Sequence, residues 1–219
     1  MWSSEVTNMI ITGIWETLYM TLVSTLVGYV IGLPMGIILT VSDKDGIKPN
    51  AILYKILDVI ANIVRSVPFI ILLVLLIPFT RLVVGKSYGS TATIVPLVIA
   101  AAPYIARMVE SSLKEVDAGV IEAARSMGAS NFTIITKVML VEARTSLLVG
   151  ATITLGTILG YSAMSGAVGG GGLGAIAIRY GYTRWQTDIM IVTVILLIIL
   201  FQIFQTVGMK LADKFDHRK

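Results

Sequence analysis

The chain has 219 residues, of which 56% are apolar and only 14% charged, with a formal net charge of +4, no cysteine and one histidine. So small a charged share excludes an ordinary soluble domain of this length, and the lack of cysteine excludes disulfides, thiol catalysis and cysteine-held metals. The one histidine, His217, lies two residues from the C-terminus among charges, which leaves no place for a buried Ser-His pair or a multi-histidine metal site.

Five apolar runs of roughly the length that crosses hydrocarbon as a helix follow in order. The first runs from about Leu18 to Val41, and the second from about Val67 to Leu82, with a helical extension back to Ile52. The third covers about Thr91 to Val109, the fourth Leu147 to Val168 after a helical elbow starting at Phe132, and the fifth Ile189 to Val207. The runs are too continuous for the alternation of a membrane barrel, and open strands would leave backbone groups unpaired in lipid. The expected fold is therefore an all-α integral membrane bundle of five transmembrane helices, a single domain over residues 1–219 embedded in the lipid bilayer.

Five spans place the termini on opposite sides. Lys44, Lys48 and Lys55 follow span one; Lys114, Arg125, Lys137 and Arg144 follow span three; Lys210, Lys214, Arg218 and Lys219 end the chain. Opposite them stand only Arg81 with Lys86 and Arg179 with Arg184, and the stretch MWSSEVTNM has no basic residue. The excess of basic residues marks the cytoplasmic side, so the N-terminus is expected outside and the C-terminus inside. The same lack of basic residues argues against a cleaved signal peptide. The net charge thus reads as topology and attraction to anionic headgroups, not as nucleic-acid binding.

Several motif matches fail on context. Gly169, Gly171 and Gly174 fit G-x-G-x-x-G formally, but they follow an apolar helix instead of a strand, and Asp188 opens a span. GKS at 85–87 lacks the earlier glycine of a phosphate loop, because Thr80 stands there. Asp43 and Asp45 before Gly46 are too few for an EF-hand calcium loop.

The segment VDAGVIEAARSMGAS is different. Val120, Ala123, Ala124 and Met127 recur at i, i+3, i+4 and i+7, which predicts one apolar stripe on a helix of about residues 117–128. Asp117 suits its N-cap and Gly128 a left-handed stop, while Ser130 suits the cap of the next helix. At three turns it is too short and too charged to cross a bilayer. A helix lying on headgroups would carry bulky anchors and several basic residues; this one carries small residues beside Glu122 and Arg125. Such a face fits the groove of a soluble partner.

Glu122, Ala123, Ala124 and Gly128, followed after nine residues by Val138-Met139-Leu140, resemble the EAA motif of permease subunits of ATP-binding-cassette importers. Val138 replaces the usual Ile of that motif, and Val141 the usual Pro. RSVPFIILLVLLIPFTR at 65–81, VPLVIAAAPYIARMVESSL at 95–113, YSAMSGAVGGGGLG from 161 and IRYGY ending at 182 are similar to the methionine-importer permeases within that superfamily. The resemblance implies the type I importer architecture with five spans per chain, in the inner membrane of a bacterial cell. It also implies a permease homodimer, two cytoplasmic ABC ATPase subunits that bind ATP and Mg, and an extracytoplasmic substrate-binding lipoprotein. The chain itself would then have no enzyme activity and hold no cofactor. Glu122, Ala123, Ala124, Arg125 and Gly128 would belong to the coupling helix seated in a cleft of the ATPase.

A transport path is expected near Pro68, Pro78, Pro96 and Pro103, because each proline removes a backbone donor and loosens its helix. Arg65 and Arg107 flank inward-facing ends, where they would either line the path or snorkel to headgroups; Asp58 and Arg65, seven apart, could form an ion pair. Tyr161, Ser162 and Met164 combine two hydroxyls with a pliable thioether at the end of span four. With Arg65 and Pro68 they are the candidate path. Gly156, Gly160 and Gly166 suit close helix packing, and the glycine run after them would be a flexible outer turn. The function expected is uptake of L- or D-methionine or derivatives by alternating access. The alternatives are a permease of the same architecture for another small amino acid, or a channel or carrier without an ATPase.

Overall fold

In a computed structural model, residues 4–215 are described; Trp2, His217, Arg218 and Lys219 lie outside them. Among the described residues all regular structure is helical. Helix α1 spans Ser4–Ser42, α2 Ala51–Ser66, α3 Phe69–Leu75, α4 Ile77–Val84 and α5 Ser90–Lys114. Helix α6 spans Ala118–Ser126, and an elbow follows: α7 Asn131–Thr133, a π turn Ile134–Met139 and α8 Leu140–Glu142. Helix α9 spans Arg144–Ser165, a 3-10 turn Gly166–Val168 and α10 Gly172–Ile176 lead to a second π turn Ala177–Tyr182, and α11 spans Thr187–Lys214.

Among the described residues four stretches are long and apolar enough to cross a membrane, and α2 with α3 makes a fifth if the bent pair counts as one span. Helix α1 starts well before Leu18. Glu5, Glu16 and the threonines of its first half interrupt hydropathy without interrupting helix formation, and its 39 residues reach about 58 Å, beyond the roughly 30 Å of hydrocarbon. Span two departs most from expectation. Instead of one helix over 67–82, α2 meets α3 at 101°, and Leu76 separates α3 from α4. Pro68 produces the first break: its ring disfavours helical geometry at Val67, which is extended at φ −83°, ψ 124°. Pro78 sits in the first turn of α4, where a missing donor costs nothing. Pro96 and Pro103, by contrast, are buried within an unbroken α5.

The core is the contact of α1 with α5. Gly28, Gly32 and Gly36 recur every four residues on α1, and they let the α5 backbone come close. A Cβ at Gly32 would lie 2.5 Å from the Ala102 carbonyl oxygen, and one at Gly36 2.6 Å from that of Ala106. Met20, Leu97, Ile105 and Val109 fill the space around this seam. Three threonines on the same helix, Thr17, Thr25 and Thr40, each donate to the carbonyl four residues earlier, whereas the buried Thr21 hydroxyl has no partner among the described residues.

The bundle has two poles. At one, the end of α1 meets the end of α5 through Lys114 and Asp43, α6 meets the α1–α2 connection, and Thr145 donates to the Phe215 carbonyl. At the other, the start of α1 and the start of α5 meet the glycine run after α9.

Candidate functional site

Helix α6 is built from its caps inward. The Asp117 side chain accepts from the Gly119 N–H at 2.7 Å. At the other end Gly128 adopts φ +79°, its N–H donating to the Arg125 carbonyl (2.9 Å) while the Ala129 N–H donates to that of Ala124 (3.1 Å). These two bonds make a Schellman stop, which needs a left-handed residue and so favours glycine. Ser130 then accepts from the Thr133 N–H at 3.2 Å and starts the elbow. Two capped ends within three residues fix the turn from α6 into the elbow.

The apolar stripe divides into two. Ala124 is 5% exposed and, with Ile121, packs into the cluster containing Leu113, Ile134 and Met139. Val120, Ala123 and Met127 face outward, Met127 at 82% exposure. The expected single seat therefore does not exist. One edge fastens the helix to its own chain, and the other stays open beside exposed Glu122. A groove of about 400 Å³ runs along this helix, with Asp43, Ile47, Lys114, Ile121, Glu122 and Arg125 in its wall. Arg125 has a partner inside the chain: its Nη2 donates to the Ile47 carbonyl at 3.1 Å.

Behind α6 lies an ionic network that hydropathy does not reveal. Arg107, Glu110 and Lys114 share one face of α5. Glu110, buried, accepts from Arg107 Nη1 (2.7 Å), from Lys114 Nζ (2.8 Å) and from the Tyr54 hydroxyl (3.4 Å). Arg107 also bonds the Asp58 carboxylate and donates to Asn62 Oδ1 (2.9 Å) on α2. Lys114 reaches Asp43 Oδ2 at 2.6 Å, just past the end of α1. Hydrogen bonding from the Lys114 ammonium holds the Asp43 carboxyl below the ordinary carboxylate range. The Asp58–Arg65 pair is thus overturned. Seven residues separate the two by about 10 Å along the helix axis, whereas α5 brings Arg107 into direct contact. Arg107 is engaged with Asp58, Asn62 and Glu110. The signal available in the sequence was the spacing i, i+3, i+7 of charges near the end of an apolar run.

The candidate path residues do not form one cluster. Pro68 is exposed at the α2–α3 bend, and Arg65 stands 6.0 Å from the centre of the Tyr104 ring. Phe69, directly after Pro68, stacks on Tyr161 of α9, with ring centres 4.4 Å apart and planes within 4°. Ser162 is 1% exposed and donates to the Leu159 carbonyl at 2.8 Å, so its hydroxyl is spent within α9. Met164 is exposed. Tyr161 and Ser162 do not offer a joint pair of hydroxyls, because neighbours on a helix point about 100° apart.

The glycine run is tied on two sides instead of hanging as a loose outer turn. Glu16 Oε2 accepts from the Gly172 N–H (2.6 Å), Thr17 Oγ1 accepts from the Leu173 N–H (2.9 Å), and the Gly89 N–H donates to the Gly169 carbonyl (2.8 Å). Thr93 Oγ1 adds a bond to the Gly170 carbonyl at 3.2 Å. Glu16, unmarked in the sequence reading because it falls before the apolar run, is the main side-chain anchor on α1.

A bent span, a capped helix exposed at one pole and a glycine turn fastened at the other describe a membrane bundle with distinct structures at its two poles. The family model of binding-protein-dependent transport system inner membrane components matches residues 28–218. The chain belongs to that family. Among its relatives, the probable D-methionine transport system permease protein MetI of Vibrio cholerae is 49% identical over 99% of this chain and 96% of its own length. The D-methionine transport system permease protein MetI of Escherichia coli K12 is 52% identical over 72% of this chain and 73% of its own. A solved inward-facing conformation of the MetNI methionine ABC transporter superposes with a TM-score of 0.97 at 49% identity, covering 99% of this permease and 100% of that chain. A chain of an amino acid ABC transporter solved with histidines shares the fold at a TM-score of 0.73 and 22% identity.

Proposed function

We propose that this permease carries methionine, in its L or D form or as close derivatives, through the membrane by alternating access, driven by ATP hydrolysis in separate subunits. The observation that carries the substrate reading is end-to-end similarity at 49% identity to a methionine permease and to a chain of a solved methionine transporter. Two copies of the chain would enclose the path, two cytoplasmic ATPases would bind ATP and Mg, and an extracytoplasmic lipoprotein would deliver substrate.

The open edge of α6, with Val120, Ala123, Met127 and Glu122, is the surface we assign to the ATPase. Ala124, Arg125 and Gly128 would set its pose instead of touching the partner. This places the α6 pole in the cytoplasm. Among the described residues, Lys44, Lys48, Lys55, Lys114, Arg125, Lys137, Arg144, Lys210 and Lys214 lie toward that pole, and Arg81, Lys86, Arg179 and Arg184 toward the other, in keeping with the positive-inside bias. The Phe69–Tyr161 stack, where the Pro68 bend meets α9, is the part of the candidate path best placed to respond when α2 moves.

The test is gentle detergent extraction, identification of co-purifying proteins, and reconstitution in vesicles with the ATP-hydrolysing partner. Stimulation of hydrolysis and uptake by L- or D-methionine ahead of other small amino acids is the expected result. A complex that hydrolyses ATP but answers to a different amino acid overturns the substrate; no ATP-hydrolysing partner at all overturns the coupling role.

A further inference from the structure

We infer that Glu110 is a positioning residue that joins α6, the end of α1 and α2 into one rigid lever, so that movement at the α6 pole arrives at the Pro68 bend; the inference rests on the transport reading above. Three observations carry it. Glu110 is almost wholly buried yet accepts from Arg107, Lys114 and Tyr54, and through the first two it grips Asp58 on α2 and Asp43 beyond α1. The α1–α2 connection is held a second time, from α6, by Arg125 on the Ile47 carbonyl. That connection is itself closed by backbone bonds, from Lys48 N–H to the Val41 carbonyl (3.1 Å) and from Asn50 N–H to that of Ser42 (2.9 Å).

A push on α6 therefore has a route through Ile47, its chain neighbour Gly46, whose N–H donates to the Asp43 carbonyl (2.9 Å), and then Asp43, Lys114, Glu110 and Arg107 to Asp58. The stiff part ends at Ser66. There the chain turns through 101° into α3, whose first residue stacks on Tyr161. Buried ion networks add little net stability compared with apolar packing, because desolvation offsets the attraction; their better attested effect is to select one arrangement. A network bridging three elements between a docking helix and a hinge suits transmission more than stability.

The chain has no cysteine, so two introduced cysteines can be spin-labelled cleanly. In the complex with its ATPase, labels at Lys55→Cys and Ser126→Cys should keep one narrow distance distribution with and without nucleotide. Glu110→Gln should broaden it, and methionine transported per ATP hydrolysed should fall about tenfold while the hydrolysis rate falls less than twofold. Exchanging partners, Asp58→Arg with Arg107→Asp, should recover much of the ratio that either change alone loses. If Glu110→Gln does not assemble, Lys114→Gln, at a half-exposed side chain, should lower the ratio in the same sense. An unchanged distance distribution and ratio in the assembled variants overturns the lever. Failure of the wild type to transport methionine overturns the substrate instead, and the distance measurement still decides for or against the lever.

Discussion

The α1–α5 seam and the α6 pole solve opposite problems with the same helix α5. Along the seam, glycines at 28, 32 and 36 meet Ala101, Ala102, Ile105, Ala106 and Val109 with no charge among them. On another face of α5, starting within the same stretch and running to its end, Arg107, Glu110 and Lys114 hold α2 and the residue just past α1 through charge-assisted bonds. Lipid is as apolar as the seam, so association there depends on close backbone approach and not on exclusion of water. Near the pole a polar contact can be fully satisfied, and it specifies angle as well as proximity. The seam makes α1 and α5 one body; the pole sets how that body is held to what it must move with.

Substitution along the seam should have the largest effect. Gly32→Leu places a side chain where even a Cβ lies 2.5 Å from a backbone oxygen. A destabilisation of about 3 kcal/mol is expected, seen as loss of the monodisperse peak and a fall in melting temperature of the solubilised protein. Gly160→Ala is the control, since a Cβ there meets nothing within 4 Å. Equal tolerance of both would mean that the seam is not the structural core.

At the pole the pattern should reverse. Glu122→Lys should abolish uptake in reconstituted vesicles while leaving melting within about 0.5 kcal/mol, as surface changes do. Retained uptake would remove the open edge of α6 from the docking surface. Gly128→Leu should cost about 1–2 kcal/mol through its left-handed backbone alone, because a Cβ at this glycine has no neighbour in the chain within 4 Å. Weaker retention of the ATPase on an affinity column should accompany it, with Gly128→Asn milder in both respects.

Tyr161→Ala should forfeit about 0.5–1.5 kcal/mol of ring stacking. If the stack responds to the Pro68 bend, uptake should fall more than melting predicts, whereas Tyr161→Phe should preserve both. The smallest effect is expected of Asp43, whose folded carboxyl titrates below its ordinary 3.8. Its contribution is therefore complete above that value and disappears as pH falls through the lower, folded one. Lys114 is 41% exposed, so less than about 1 kcal/mol is at stake. The melting difference between wild type and Asp43→Asn should vanish in acid and persist at neutral pH; a difference that grew in acid would refute the pairing.

What could be read in advance was what depends on neighbours in sequence. Apolar run length marked the spans, and Asp117, Gly128 and Ser130 marked the ends of α6 and the start of the elbow, because caps are local hydrogen-bonding decisions. The extent of α1 was missed because hydropathy measures lipid compatibility and not helix continuity. The prolines, expected to act alike, do not: Pro68 breaks its span as expected, while Pro96 and Pro103 lie inside an intact helix whose buried surroundings hold it together. Among the candidate path residues, Ser162 turns inward to the Leu159 carbonyl of its own helix, a choice that depends on which face of α9 meets its neighbours.

The sequence by itself determined that the chain is a helical membrane protein, where its apolar runs lie, and that one short capped helix stands apart from them, because composition, run length and capping act within a few residues. Only the tertiary structure decided that Asp58 pairs with Arg107 instead of Arg65, that buried Glu110 accepts from three side chains at once, and that Glu16 fastens the glycine turn 156 residues away. Charges choose partners by distance in space. That distance follows from how closely α1, α2 and α5 pack, which no local pattern encodes.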